Sequence, residues 1–262
     1  MSLLESLILG IVQGATEFLP ISSSGHLVLS EAVMGMHEGG LLVEVTLHLG
    51  TLLAVIIYFR TRIAWLIRSF PVRGEEGRRA RRWLGWLAAG TLPAVAVGLG
   101  FRSGIERVFE SPTVALAGLV VTGAILFTSR WSRPHNRSAL SGAALVMGLG
   151  QALSILPGIS RSGTTIAAGL WSGVERSEAA EFSFLLSIPA IAGAAVLIGA
   201  ELVSGSAPAG IPAAGPLLLG FAAALVSGYA AIAGLLAVLK RHGLVPFAWY
   251  CWTVAAVGFI IV

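Results

Sequence analysis

Six apolar stretches, at roughly 41–60, 83–101, 111–129, 182–203, 213–239 and 245–262, are each long enough to cross a membrane as a helix. An apolar helix needs about 20 residues to traverse the hydrocarbon core. A chain that buried six such segments in a soluble globule would need abundant polar residues to coat it. Only 11% of the 262 residues are charged, against 56% hydrophobic, and the mean hydropathy is +0.86; a soluble domain carries about 25% charged residues. The expected class is an all-α polytopic membrane protein. The first segment, MSLLESLILG, contains Glu5 and no Lys or Arg. It lacks the basic flank of a cleaved signal peptide and is expected to be retained.

Two more apolar regions are interrupted by polar, helix-breaking residues. Region 3–36 breaks at Pro20 to His26, and region 139–173 breaks at Pro157 to Thr165. Each half is about 10–18 residues, short for a crossing and suited to a re-entrant helix–loop–helix hairpin. The regions resemble each other: GIVQGATEFLPISSSGH (10–26) aligns with GLGQALSILPGISRSGT (148–164), with Gln13 over Gln151. Three spans follow each one. This predicts two repeats within one membrane domain, 1–130 and 139–262, each a hairpin plus three spans. A hairpin returns to its own side and three crossings is odd, so the second repeat starts from the opposite face. The repeats are inverted, and their broken tips should meet near the midplane, where such folds bind substrates.

Basic residues orient this arrangement. The loops at 60–82, 130–138, 174–178 and 240–244 fall on one side and hold 14 of the 17 Lys and Arg; Arg102 and Arg107 are alone on the other. By the positive-inside rule the first side is cytoplasmic, which puts both termini and the mouth of the first hairpin on the outer face. The net charge of +4 is thereby assigned to orientation, and nucleic acid is not expected as a partner.

Composition also removes whole reaction classes. No Asp occurs, so an aspartyl nucleophile is excluded, and the single cysteine, Cys251, allows neither an internal disulfide nor a CxxC pair. No GxxxxGK loop supports nucleotide hydrolysis.

Arg161 is the one basic residue left at membrane depth. A charge there is costly and is a functional candidate by default, with an anion as partner or, more plainly, an internal salt bridge to Glu17. Gln13 and Glu17 are four residues apart on one helix face; two oxygen-bearing side chains at that spacing suit Mg²⁺ or Ca²⁺ sharing ligands with phosphate, or else hydrogen bonds that position His26. Ser22, Ser23 and Ser24 open the next half-helix, where backbone N–H groups bind phosphate oxygens. Ser160, Ser162 and Thr164, flanking Arg161, repeat the design. Helix capping accounts for one Ser per helix and leaves the others over. His26 is a natural proton carrier, and a Ser hydroxyl beside a His and a Glu would also suit nucleophilic catalysis. His48, Glu181 and Ser183, at span starts, are weaker candidates; His37, His135 and His242 fall in loops.

The run Gln13 to His26, with Pro157-Gly158-Ile159-Ser160-Arg161-Ser162-Gly163, resembles the (E/Q)xxxE plus PxSSxGH and PGxSRSGxT motifs of the undecaprenyl-diphosphate phosphatase family, the bacitracin-resistance type. The resemblance extends over nearly the whole chain. It implies hydrolysis of undecaprenyl diphosphate to the monophosphate and phosphate, recycling the lipid carrier of peptidoglycan synthesis in the bacterial inner membrane. It implies a divalent cation, Mg²⁺ or Ca²⁺, and a site open to the periplasm. It also assigns catalytic roles to Glu17, Ser23, His26 and Arg161, metal binding to Gln13 and Glu17, and phosphate contacts to Gln13, Ser22, Ser24, Ser160, Ser162 and Thr164. Gln13 departs from the Glu of other members and leaves one carboxylate in that motif. Type-2 phosphatidic acid phosphatases share SSGH and SR, but they require a second His about six residues after the SR arginine, where this chain has Ala167, and then an Asp, which it lacks. The expected partners are the lipid substrate and membrane lipids, with a homodimer as a candidate assembly. Three nucleophiles remain open (Ser23 with His26 as base, His26 itself, or an activated water). A transporter of the lipid carrier phosphate is the competing class, because inverted repeats with broken helices also build transporters.

Overall fold

The computed structural model describes residues 1–35, 41–101, 111–132, 137–203 and 213–261. Arg102, Arg107, Arg133, His37 and His135 lie outside the described residues. Within them the fold is all-helical: α1 (Leu3–Phe18), α2 (Ser23–Met34), α3 (Leu41–Tyr58), α4 (Arg60–Ser69), α5 (Glu75–Gly100), α6 (Pro112–Thr128), α7 (Ala143–Leu153), α8 (Arg161–Trp171), α9 (Arg176–Val203), α10 (Ala214–His242) and α11 (Val245–Ile261).

Local chemistry sets both interruptions. A capping box opens α1: Ser2 Oγ accepts from Glu5 N, and Ser2 N donates to the Glu5 carboxylate. The helix ends at Phe18 because Leu19 precedes Pro20, which disfavours αR for the residue before it; Leu19 is extended at φ −66°, ψ 142°. In the second region the turn passes through Gly158 at φ +81°, a backbone shape that glycine adopts without a Cβ clash. The breaks are shorter than expected. They occupy 19–22 and 154–160, so Ser23 to His26 and Arg161 to Thr165 already form the first turns of α2 and α8.

Among the described residues, four helices are long and apolar enough to cross a membrane: Glu75–Gly100, Pro112–Trp131 (α6 with the 3₁₀ turn after it), Arg176–Leu197 and Ala214–His242. The expected span at 41–60 stops at Tyr58 and turns by 72° into α4. The reason is electrostatic: Arg60, Arg62 and Arg68 would be costly in hydrocarbon. The expected loop 60–82 is therefore mostly α4 and the start of α5, where Glu75 and Glu76 suit the helix N-terminus. The last expected span is the 17-residue α11, about 26 Å long at 1.5 Å per residue. The outer faces stay apolar; Leu92, Leu218, Val226 and Ile260 are all strongly exposed. Lipid is the solvent that makes such a surface stable, and the protein is a multi-pass membrane protein.

Helix pairing repeats across the two halves. α1 packs on α10 as α7 packs on α5, α3 packs on α10 as α9 packs on α5, and α3–α9 and α6–α11 close the set. The closest approaches use glycines in matching places. A Cβ on Gly10 would stand 2.4 Å from Gly220 O, and one on Gly148 would stand 2.3 Å from Gly90 O.

The basic segments gather at one end. Arg62 pairs with Glu181, Arg137 N donates to Gly173 O at 3.2 Å, and Arg176 Nη1 donates to Leu239 O at 3.3 Å. Both outer ends of the α7–α8 pair join this group, since Ser138 Oγ and Ala139 N donate to Glu178.

Candidate active site

The two breaks meet tip to tip. Gly158 N donates to Ser24 Oγ at 3.4 Å, and Ser162 Oγ donates to Leu19 O at 3.1 Å. Each second half-helix is capped the same way: Ser22 Oγ accepts from Gly25 N at 3.3 Å, and Ser160 Oγ accepts from Gly163 N at 3.1 Å. Each cap serine also contacts the serine two residues on, Ser22 with Ser24 at 3.2 Å and Ser160 with Ser162 at 3.3 Å. Two helix N-termini therefore converge, a setting that favours negative charge. Ser22 holds φ +69°, the one non-glycine positive φ among the described residues. Strain of that kind concentrates at functional sites.

Glu17 is the hub. It lies at the buried end of α1, 8% exposed, with Arg161 Nη2 2.6 Å from Oε1 and Ser23 Oγ 2.6 Å from Oε2. Gln13 Nε2 donates to Oε2 at 3.1 Å, and His48 Nε2 stands 3.8 Å from the same oxygen. The internal salt bridge is thus present, yet it does not exhaust the guanidinium. Arg161 Nη1 is buried and has no hydrogen-bond partner. An orphaned cationic donor beside two helix N-termini is a site for an anion.

His26 is arranged differently. Its Nδ1–H donates to Ser22 O at 2.8 Å, and its Nε2 accepts from the Tyr250 hydroxyl at 3.0 Å, with the two rings stacked. Both ring nitrogens are engaged, and the Ser23 proton goes to Glu17, where the sequence had suggested His26 as base. Thr164 is also turned away from an anion role: its hydroxyl lies 2.8 Å from Ser160 O and 2.9 Å from Gly150 O, tying α8 to α7. Gln13, Ser22, Ser24, Ser160 and Ser162 all line the meeting of the breaks.

Sequence reasoning missed Thr122 and Tyr250. Thr122 Oγ1 donates to Gly158 O at 2.8 Å and accepts from Ser160 N at 3.0 Å, clamping the second break from α6. A hydroxyl in the middle of the apolar span 111–129, away from the Ser and Thr at its two ends, was a usable signal for it. Tyr250 has none, since an aromatic near a span end also fits the interfacial belt.

The donor set can be tested against a divalent cation. Gln13 is fully buried and its Oε1 has no partner, and Glu17 supplies one carboxylate beside it. Among the described residues no cluster of three or more His, Cys, Asp or Glu exists. One carboxylate plus an amide oxygen fits a hard cation that completes its shell with water and substrate phosphate, so the residues fit a shared site and not a closed protein cage.

The family described as "Bacitracin resistance protein BacA" matches residues 6–257. The undecaprenyl-diphosphatase of Desulfatibacillum aliphaticivorans is 42% identical over 269 residues, covering 97% of this chain and 96% of the relative. That of Geobacter sulfurreducens is 42% identical over 259 residues, covering 95% and 94%. The protein of the same name in Carboxydothermus hydrogenoformans is 41% identical over 256 residues, covering 96% and 94%.

Proposed function

The chain belongs to the bacitracin resistance protein BacA family, and from that premise we propose that the meeting point of its two breaks is where it hydrolyses undecaprenyl diphosphate. The protein is an undecaprenyl-diphosphate phosphatase. It releases inorganic phosphate and returns undecaprenyl phosphate to peptidoglycan synthesis, the recycling that underlies bacitracin resistance. The relatives are named for hydrolysis, which favours the enzyme over the transport alternative. The observation that carries the site is the unpartnered Arg161 Nη1 beside the Ser23–Glu17 contact of 2.6 Å.

In our reading the terminal phosphate lies against Arg161 Nη1 and the first-turn N–H groups of α2 and α8. Ser23 Oγ attacks the terminal phosphorus as its proton passes to Glu17 Oε2. The new bond is Oγ–P. The bond that breaks joins that phosphorus to the bridging oxygen, which leaves as undecaprenyl phosphate. Water then attacks the phosphoserine, returns the proton to Ser23 and frees phosphate. Positioning and charge stabilisation supply most of phosphoryl-transfer catalysis, and Arg161 and the helix N-termini provide both. A divalent cation, held by Gln13 Oε1 and Glu17, would neutralise charge on the diphosphate oxygens. His26, locked to Tyr250, orients the first turn of α2.

We place six crossings and two re-entrant hairpins in an inverted repeat, 1–130 and 139–262, in the bacterial inner membrane. The exchange of helix partners between halves supports this. So does the gathering of basic segments, together with both ends of the α7–α8 hairpin, at one end. If that end is cytoplasmic, the α1–α2 hairpin, whose tip meets the other, opens to the periplasm with both termini.

The test is phosphate release from undecaprenyl diphosphate by purified protein in detergent. Wild type should turn over, and Ser23→Ala and Glu17→Gln should each lose at least about 10³-fold, the scale of losing a covalent-catalysis partner. Wild-type rates in Ser23→Ala would overturn Ser23 as nucleophile and leave water as the attacking group.

A further inference from the structure

Gln13 and His48 both approach Glu17 Oε2, which also accepts from Ser23 Oγ. Gln13 Oε1 is buried and unpartnered, its amide nitrogen being spent on Glu17. Glu17 Oε2 is the oxygen that this amide reaches. His48 Nδ1–H donates to Glu44 O one turn back on α3, at 2.8 Å. In the neutral ring this leaves the Nε2 lone pair aimed at Glu17 Oε2, 3.8 Å away. A neutral His48 would face the carboxylate lone pair to lone pair, and with Gln13 Oε1 orphaned in the same cluster a cation would relieve both. A histidine whose other nitrogen donates to a backbone carbonyl is also the usual posture of a metal ligand, because that bond fixes tautomer and ring orientation.

We propose that His48 Nε2 is the third protein donor to the divalent cation, beside Gln13 Oε1 and the Glu17 carboxylate, and that this nitrogen biases the site toward transition-metal ions over Mg²⁺ and Ca²⁺. The proposal rests on the phosphatase reading above and deepens it. Imidazole nitrogen binds first-row transition ions better than it binds hard alkaline-earth ions, which prefer oxygen. With Gln at position 13 the motif has a single carboxylate, so a neutral nitrogen ligand from α3 fills the coordination without adding charge.

The experiment uses Mn²⁺ as probe on the full-length protein in detergent, read by pulsed electron paramagnetic resonance. Wild type should show nitrogen coupling from one bound imidazole, and labelling histidine with ¹⁵N should change that coupling. His48→Gln should lose it and His26→Gln should keep it. Mn²⁺ affinity should fall in His48→Gln by at least the roughly tenfold that losing even an outer-shell partner costs, while Mg²⁺, measured by displacing Mn²⁺, falls less. Wild type with no imidazole coupling, no bound Mn²⁺, or a coupling that survives His48→Gln overturns the proposal. A proton on His48 Nε2 pairing it with Glu17 would give the first of these. The decisive spectrum is that of wild type, so a misfolded variant cannot mask the answer. Phosphate release is measured on the same samples: turnover without coupling removes only the ligand assignment, and coupling without turnover removes the phosphatase reading.

Discussion

The two broken helices share a scaffold and divide the chemistry. Both second halves begin with a serine cap bonded to the glycine three residues on, and both carry a serine pair across two residues. Among the polar and charged positions in the alignment of 10–26 with 148–164, those that differ in kind are Glu17 against Ile155, Ser23 against Arg161, and His26 against Thr164. The first break holds the carboxylate and the serine bonded to it, and the second supplies the guanidinium. The differences bring opposite charges together, 144 residues apart in sequence and 2.6 Å apart in space.

Arg161 is where this comparison breaks hardest. Arg161→Ala should lose phosphatase turnover by about 10³-fold or more at saturating substrate, the scale of removing an arginine from a phosphoryl-transfer site. It also strands a buried carboxylate, at about 3–5 kcal/mol. Arg161→Lys keeps the charge and should fold, yet still lose much of the activity because its ammonium lacks the second, forked donor. Near wild-type kcat in a folded Arg161→Lys would show that charge alone suffices.

A smaller effect separates the clamps. Thr122→Val removes the hydroxyl that bridges Gly158 O and Ser160 N, and it should cost about 1–3 kcal/mol for buried groups left unpaired. A fall in detergent melting temperature with the substrate KM nearly unchanged is expected. An unchanged melting temperature would mean that the second break holds its shape without α6.

The smallest effect tests the strain. Ser22→Gly relieves φ +69° at the expense of a cap, which glycine replaces at a few tenths of a kcal/mol. The net change should lie within about 1 kcal/mol, on the stabilising side. Ser160 sits at an ordinary φ of −70°, so Ser160→Gly gains nothing and should destabilise. Equal melting temperatures for the two variants would refute strain at Ser22.

Much of this was legible in the chain because it depends on short-range rules. Pro20 forces Leu19 out of the helix, Gly158 permits the second turn, and serine three residues before glycine predicts each cap. Arg161 stood out because a charge among apolar residues needs a partner. Other features were not legible for equally physical reasons. His26 looks poised for Ser23 when both are placed on one helical turn, but its rotamer is decided by Tyr250, 224 residues away. Thr164 reads as a phosphate donor until Gly150 O is found beside it.

The sequence by itself determined the membrane class and the helix breaks, because solvent partition and backbone sterics act on neighbouring residues. Only the tertiary structure decided which atoms pair: Ser23 with Glu17 and not His26, His48 beside the same carboxylate, and Arg161 with one donor left free. Those pairings compare distances between helices, and no local rule reports how two distant helices will be set against each other.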